Sequence, residues 1–547
     1  MNLLFLMPGD AAPPRADLEA AGVDAILAQE ALPGAEPPAR PLVLTDAGSA
    51  PEAEACQAAA GTVARDAAGF VGCVHRARAF AIHEARVLEA ARAPAAGVVL
   101  DGADRWYLAG PRGAGFCDAC ADRLDERLRR TYGEMLGPSR PLQNLAADER
   151  APFHRELSAQ RWHGGVETAA RLVRRARDEA RRARQVEALV GARFAACSPA
   201  AVALCRHLDF ALVPVPPPAK ERSRVATYEM FLAALGRREL VGLVEEDLGA
   251  PGNVAQAARL AQAAGASVAL TSSATAPARE ALAAHRKFWA TLNGHYRPPD
   301  RLAEALLLYS PECDHWTGGR HGAGTRAAAE ALTALGAQYR ITTALPRSGT
   351  EPVVLADAGA LPEAEAKALD WRLRAGASAI VIGGCGTVDE EGLALEGPFG
   401  SLQPGLNVSD HRTLFAIDPA GNAEGLAERR FEPLVGELDR ALESLIGRGR
   451  RAAGFRGADL VVKCYLDPDR KLDVQLVGRS FDPASGAAAK VSGAVLYLSG
   501  AAASGARSGQ FLTEDGQARK VTLSPFGMGV QVALPEFAGS ALLTVAR

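Results

Sequence analysis

The sequence predicts an α/β chain in three successive parts: a (β/α)8 TIM-like barrel, a doubly wound α/β unit and a small C-terminal β-sandwich. Three observations predict it. Over about the first 290 residues, short apolar runs alternate with long Ala/Arg/Glu helix patterns, and strands alternating with helices pair in parallel through βαβ crossovers. Past the turn-forming pairs Asn293-Gly294 and Pro298-Pro299, the alternation resumes on a smaller scale. From about residue 455 the segments become short and alternating, separated by Gly, Ser, Asp and Pro. The expected divisions are 1–295, 296–450 and 451–547.

The barrel strands are expected at 3–6, 23–26, 41–44, 97–100, 188–193, 210–213, 240–244 and 267–270. Eight strands is the number a (β/α)8 barrel needs, although the short early units leave an incomplete barrel open. Helices are expected at 79–91, 116–132 and 165–184. In the second part, strands at 305–309, 338–343, 352–355 and 378–382 with helices at 325–336 and 362–375 give the doubly wound pattern. In the third, 458–465, 472–476, 493–498, 520–523, 529–533 and 541–545 read as antiparallel strands, and the low-complexity stretch 501–509 as a loop.

Composition narrows the function. The 547 residues are 48% apolar and 23% charged, enough to bury several cores without a disulfide or metal staple. A net charge of −3, from 61 basic and 64 acidic residues, excludes the broad basic footprint of a nucleic-acid binder. Of the basic residues 54 are Arg and 7 are Lys; beside the heavy Ala content this reads as the bias of a GC-rich genome. The Arg-rich stretch 171–184 reads as a solvated barrel helix. No apolar run reaches the ~18–20 residues of a membrane span. The opening MNLLFLMPGD reads as a buried strand rather than a signal peptide. Nine dispersed cysteines imply no disulfide framework, and the chain reads as cytoplasmic, with no membrane partner.

The stretch 97–134 carries the most chemistry. An apolar strand runs into Asp101-Gly102, at the end where barrel enzymes place catalytic groups. Asp is a poor strand former, so Asp101 reads either as a carboxylate at the barrel mouth or as a turn or N-cap residue. Asp104, Arg105, Trp106 and Tyr107 follow; charges and flat aromatic rings together suit a sugar, or a packed loop. Glu245, Glu246 and Asp247 follow the seventh strand. Side chains alternate along a strand, so Glu245 and Glu246 cannot both face the mouth, and an acidic N-cap cluster is the other reading. Cys117 and Cys120 form a Cys-x-x-Cys just before a helix.

The strand ending in a carboxylate, that Cys-x-x-Cys, and Arg130-Thr131-Tyr132-Gly133 closing the helix together resemble the fourth βα unit of family-42 β-galactosidases and related glycosidases with an LDG motif. The family pattern is C-x-C-x-x-C with a further upstream Cys. Gly115 stands at the first of the three positions, and Cys73 matches the upstream one. The resemblance implies a structural zinc on Cys73, Cys117 and Cys120, with His75 or Asp118 as fourth ligand; inert buried thiols and redox chemistry stay open. Where the family has Asn-Glu at strand four, with Glu as general acid, this sequence has Asp101-Gly102. The resemblance therefore makes Asp101 a nucleophile or the remnant of a lost site, and Glu245 or Glu246 its strand-seven partner.

Residues 352–392 resemble the β-galactosidase trimerisation domain, an amidotransferase-like fold usually without activity of its own. This implies a homo-oligomer, trimer or dimer. Gly383-Gly384-Cys385-Gly386 has the look of a nucleophile elbow but lacks a downstream G-H or H-x-E partner. His315 and Trp316 lie in a loop that the resemblance brings toward a barrel mouth, as substrate contacts. His83 and His163 read as surface or core residues. Residues 461–478 resemble the family's terminal β-domain. The expectation is a glycoside hydrolase-like protein acting on an oligosaccharide or polysaccharide through two carboxylates, with no cofactor for catalysis. The alternative is a non-catalytic carbohydrate-binding or assembly protein that has lost the acid.

Overall fold

The computed structural model describes residues 3–5, 25–28, 40–46, 49–50, 65–66, 69–71, 73, 75–93, 95–104, 117–132, 154–185, 187–194, 197–215, 224–236, 238–244, 250–271, 276–292, 301–386, 405–409, 412–417, 431–447, 451–466, 471–482, 484–485, 487–499, 503 and 505–545.

Eight parallel strands close into a barrel in chain order: β1 (Leu3–Phe5), β2 (Ala25–Ala28), β3 (Arg40–Asp46), β4 (Gly97–Asp101), β5 (Leu189–Arg193), β6 (Phe210–Pro214), β7 (Glu239–Val244) and β8 (Ser267–Thr271), with β8 pairing back to β1. Their near-continuous apolar runs follow from burial on both faces. Val99, Phe210, Leu212, Val241, Leu243 and Ala269 pack together inside. Val98, Leu100, Val190, Ala192, Ala211, Val213, Val244 and Val268 face the helix layer. Gly191 is required on the inner face of β5: a Cβ there would meet the Phe210 ring at 2.3 Å.

The outer helices described are α1 (Ala77–Arg92), α2 (Asp118–Tyr132), α3 (His154–Arg184), α4 (Pro199–Cys205), α5 (Arg224–Leu235), α6 (Pro251–Ala264) and α7 (Ala276–Leu292). The longest, α3, buries Trp162, Val166, Ala169, Val173, Ala176 and Ala180, a 4-3-4-3-4 spacing that makes one apolar stripe. Arg92–Glu179 at 2.6 Å and Arg175–Glu84 at 2.8 Å tie it to α1. This helix begins eleven residues before the expected 165. Gly164 and Gly165 lie inside it at a cost of roughly 1 kcal/mol each, against which Trp162 is buried. The start of α4 is set by Pro199 in the first turn and by the Ser198 hydroxyl, which accepts the Ala201 N–H at 3.1 Å. Gly265, at φ 98°, ends α6 in the left-handed conformation that glycine adopts without steric penalty.

The second sheet has the order β10-β9-β11-β12-β14-β13, formed by β9 (Ala305–Leu308), β10 (Tyr339–Thr342), β11 (Val353–Ala356), β12 (Ser378–Ile382), β13 (Gly405–Ser409) and β14 (Arg412–Ile417). All pairs are parallel except β13–β14. Helices α8 (Pro311–Trp316), α9 (Arg320–Ala334), α10 (Glu363–Arg374) and α11 (Phe431–Ile446) accompany it. Strands β13 and β14 and helix α11 lie beyond the expected pattern; the Leu-Asn-Val-Ser of β13 gives only two apolar positions to read.

In the C-terminal part, one antiparallel sheet comprises Ala453–Arg456, Val495–Leu498, Gly529–Ala533 and Ser524–Phe526; another comprises Leu460–Leu466, Leu472–Gly478, Ser540–Val545, Ser508–Thr513 and Ala518–Thr522. Both contribute to one apolar cluster, including Val462, Leu476, Leu496, Phe511, Val532 and Leu543. The expected loop 501–509 gives way at Ser508, where a strand begins; its small residues hide the period until Phe511 supplies a buried anchor.

Buried polar groups join the three parts. Glu229 of α5 takes Arg301 at 2.6 Å and Lys463 at 2.8 Å, and all three side chains are at least nine-tenths buried. The Arg301 guanidinium also donates to the Tyr339 carbonyl at 2.7 Å. Gln338 donates to the Val462 carbonyl at 3.1 Å and accepts the Cys464 N–H at 2.8 Å. On the barrel's flank, Glu514 bonds Arg259 at 2.8 Å and His285 at 3.1 Å. Each such group is nearly dry and paired, as the cost of burying an isolated charge demands.

Candidate functional site

The register of three neighbouring strands brings charge to the C-terminal rim of the barrel. Asp46 ends β3, Asp101 ends β4 and Arg193 ends β5, as successive Cα partners across the sheet. Val99 lies in the interior cluster, and Gly191 faces the Phe210 ring. Alternation by two then turns Asp101 and Arg193 inward as well, above the apolar plug. They meet there: Arg193 donates to the Asp101 carboxylate at 3.1 Å, with 27% and 36% of the side chains still exposed. Gly102, at φ 67°, turns the chain sharply off the strand.

Sequence reasoning missed Arg193. The sequence shows only that it ends an apolar run; its place at the height of Asp101 comes from the pairing of β5 with β4.

The other expected residues fall in several places. Asp104 is fully buried, and its charge acts on Cys205, whose thiol is pushed well up by burial first and then by Cys197 and Asp104. His315 of α8 stacks on Trp162 of α3, with centroids 4.8 Å apart, and Trp316 meets His315 edge-on at 5.5 Å. This sets His315 against the early turns of α3, with Trp316 beside it. Arg105, Trp106, Tyr107, Glu245 and Glu246 lie outside the described residues.

A second constellation sits beside the start of α3. The sulfurs of Cys73, Cys117 and Cys120 are buried and lie 3.4, 3.6 and 3.6 Å apart. Three thiolates about 2.3 Å from one tetrahedral ion would be separated by roughly 3.8 Å, so this cluster could hold a metal ion. His75 and Asp118 fall outside this tight group. The Gln160 amide nitrogen instead contacts His75 Nε2 at 3.1 Å and donates to the Cys120 carbonyl at 3.0 Å. In the second sheet, Cys385 is buried and its thiol is pushed up to about 12 by that burial, the opposite of an activated nucleophile.

No protein-family model matches the sequence, and a search of curated proteins finds no match. Solved structures do match. The chain is similar to α-L-fucosidase isoenzyme 2 from Paenibacillus thiaminolyticus, with a TM-score of 0.65 at 12% identity over 100% of this chain and 99% of that one. It is similar to the β-galactosidase from Bacillus circulans sp. alkalophilus, with a TM-score of 0.67 at 11% identity over 97% and 95%. It is similar too to a catalytic mutant of a GH42 β-galactosidase from G. stearothermophilus, with a TM-score of 0.66 at 11% identity over 100% and 98%.

The chain therefore has a glycoside hydrolase fold. More narrowly, the fold is GH42-like and runs the whole length of the chain. Among the described residues no helix is long and apolar enough to cross a membrane.

Proposed function

We propose that this protein acts on the glycosidic bonds of an oligosaccharide or polysaccharide at the barrel mouth, with Asp101 as the strand-four carboxylate. The observation that carries this reading is the inward pair of Asp101 and Arg193 at the C-terminal rim of a closed parallel barrel. An ionised carboxylate suits a nucleophile or a stabiliser of developing positive charge on the sugar; a general acid needs a raised pKa. The acid then falls to the segment after β7. Val241 and Leu243 face inward; on alternation by two carried past them Glu245 is the first choice and Glu246 the second. A separation of about 5–5.5 Å from Asp101 would give retention and ~6.5–9.5 Å inversion. Arg105, Trp106, Tyr107, His315 and Trp316 are proposed as sugar contacts. Asp104, grouped with them in the sequence, is fully buried.

One observation favours a second reading, a carbohydrate-binding protein without catalysis: Asp101-Gly102 stands where the resembled family has Asn-Glu. A hydrolysis screen against glycans, with Asp101→Asn as control, separates the two. Turnover lost in the variant supports the enzyme; binding without turnover in either protein supports the second reading.

The three-cysteine cluster is proposed to hold a structural Zn²⁺, which would tie the segment at Cys73 to the start of α2. Purified protein is expected to carry about one zinc per chain and to lose it in Cys117→Ser, with a lower melting temperature. Equal stability and no zinc in both proteins would remove the assignment. The second sheet is proposed as the surface of a homo-oligomer, trimer or dimer, testable by sedimentation at micromolar concentration.

A further inference from the structure

Between the barrel helices and the second sheet lies a cleft of about 620 Å³, the size of a small-molecule site and at the kind of junction where such sites occur. One wall is α3 with the end of α4. Facing it are Ser310 after β9, Thr343 after β10 and Glu365 in the first turn of α10. Trp162, Val166 and Ala170 of α3, with Val202 and Ala203 of α4, give the first wall a buried apolar floor.

Charge is divided along α3. Glu167 and Arg174 stand seven residues apart in the lining, roughly 10 Å along the helix axis. Toward the Glu167 end, Glu312 meets His163 at 3.8 Å. Toward the other end, Arg174 is joined by Arg206 and His207. Burial first, and then the charges of Arg206, Arg174, Arg177 and Arg238, hold the half-buried His207 imidazole below its usual range. Four guanidiniums therefore act on one ring. Arg177 faces Asp209 at 2.9 Å. Arg238 donates to the carbonyls of Arg206 and Leu208 at 2.9 and 2.6 Å. Arg206 gives only its Nε to His207, at 3.1 Å, and Arg174 makes no ion pair among the described residues. One end of the cleft is thus cationic and the other carries carboxylates, across an apolar floor.

We propose that this cleft binds a small hydroxycarboxylate, with its carboxylate on Arg174 and Arg206 and its hydroxyls donating toward Glu167. A planar guanidinium matches a carboxylate with paired N–H donors, and an ionised carboxylate accepts from hydroxyls. A neutral polyol or a plain carboxylate would use only half of the lining. The acid is either the uronate form of a sugar or an open-chain hydroxy acid. The lining includes neither Asp101 nor Arg193, so the site does not depend on the hydrolytic reading.

The test is calorimetric titration of the full chain with sodium galacturonate, sodium gluconate and galactose, at constant ionic strength. Saturable binding of at least one of the two acids, at least tenfold weaker in Arg174→Gln/Arg206→Gln, is expected. Tighter binding of galacturonate assigns the site to a sugar acid; equal or tighter binding of gluconate assigns it to an open-chain acid. Absence of saturable heat from both acids, or equal affinity in the double variant, overturns the proposal. A galactose affinity that falls in the double variant as far as that of the acid overturns it too, because the guanidiniums would then hold no carboxylate. If the double variant loses its far-UV signature, Arg174→Gln alone decides, since that side chain is exposed: weakened acid binding supports the site and unchanged binding overturns it.

Discussion

At the barrel mouth Asp101 meets Arg193 at 3.1 Å, and 36% of its side chain stays open to water. Where the three parts of the chain meet, Glu229 holds Arg301 at 2.6 Å and Lys463 at 2.8 Å, and its own side chain is only 4% exposed. Burial would raise the Glu229 carboxyl, but Arg301 and Lys463 overcome it and keep the group below the usual carboxylate range. The contrast separates two uses of charge. A dry carboxylate held by two cations has no approach left for a substrate and is committed to the fold. A rim carboxylate with 36% of its side chain in water stays within reach of a ligand, and its partner Arg193, itself 27% exposed, can turn to solvent when it is lost.

The largest effect expected from this contrast is at the junction. Glu229→Ala leaves Arg301 and Lys463 buried without their counter-ion, and removing one partner of a buried pair costs about 3–5 kcal/mol. Urea unfolding should show that loss. A change under about 1 kcal/mol would mean that the junction tolerates free charge, and the contrast would fail.

The flank gives an acid-dependent effect of intermediate size. Burial would raise Glu514, but the bond from His285 and the Arg259 guanidinium hold it down at about 2, against 4.5 unperturbed. Its contribution is therefore present above about pH 4.5 and is lost as the pH falls toward 2. Glu514→Gln should be less stable at pH 7 by about 3 kcal/mol and nearly equal to the parent near pH 2. Parallel stability curves across that range would contradict the assignment.

A smaller effect of opposite sign is expected at Glu304. Burial pushes its carboxyl up to about 7, against the opposing pull of Arg451 and the backbone N–H groups of Ala452 and Ala453. The folded state thus favours the protonated form, and stability drains away as the pH rises from about 4.5 through 7. Glu304→Gln should be more stable than the parent at pH 8, by roughly 1–2 kcal/mol, with the gain absent near pH 4.5. A variant less stable at pH 8 would show that the charge is held by Arg451 after all.

The same contrast explains what could be read in the sequence. The eight barrel strands lie within about two residues of their expected positions, because strands buried on both faces announce themselves as apolar runs between turns. Asp101 was legible for a related reason: a carboxylate ending such a run has no packing role. Arg193 was not, since its meaning depends on the lateral pairing of β5 with β4, and nothing local reports a neighbour 92 residues away. The Glu229, Arg301 and Lys463 cluster was invisible in the same way, each member sitting in a different part of the chain. The three cysteines could be grouped by their resemblance to a known pattern, whereas their mutual approach to 3.4–3.6 Å comes only from the fold.

The most direct test of the central claim compares Asp101→Asn with the parent in stability and in turnover on a glycan the parent hydrolyses. The rim pair is partly exposed, and exposed pairs contribute about 0–1 kcal/mol. The account predicts unfolding midpoints that nearly coincide, with turnover reduced by orders of magnitude. A variant that unfolds as readily as Glu229→Ala, or one that turns over as fast as the parent, would contradict it.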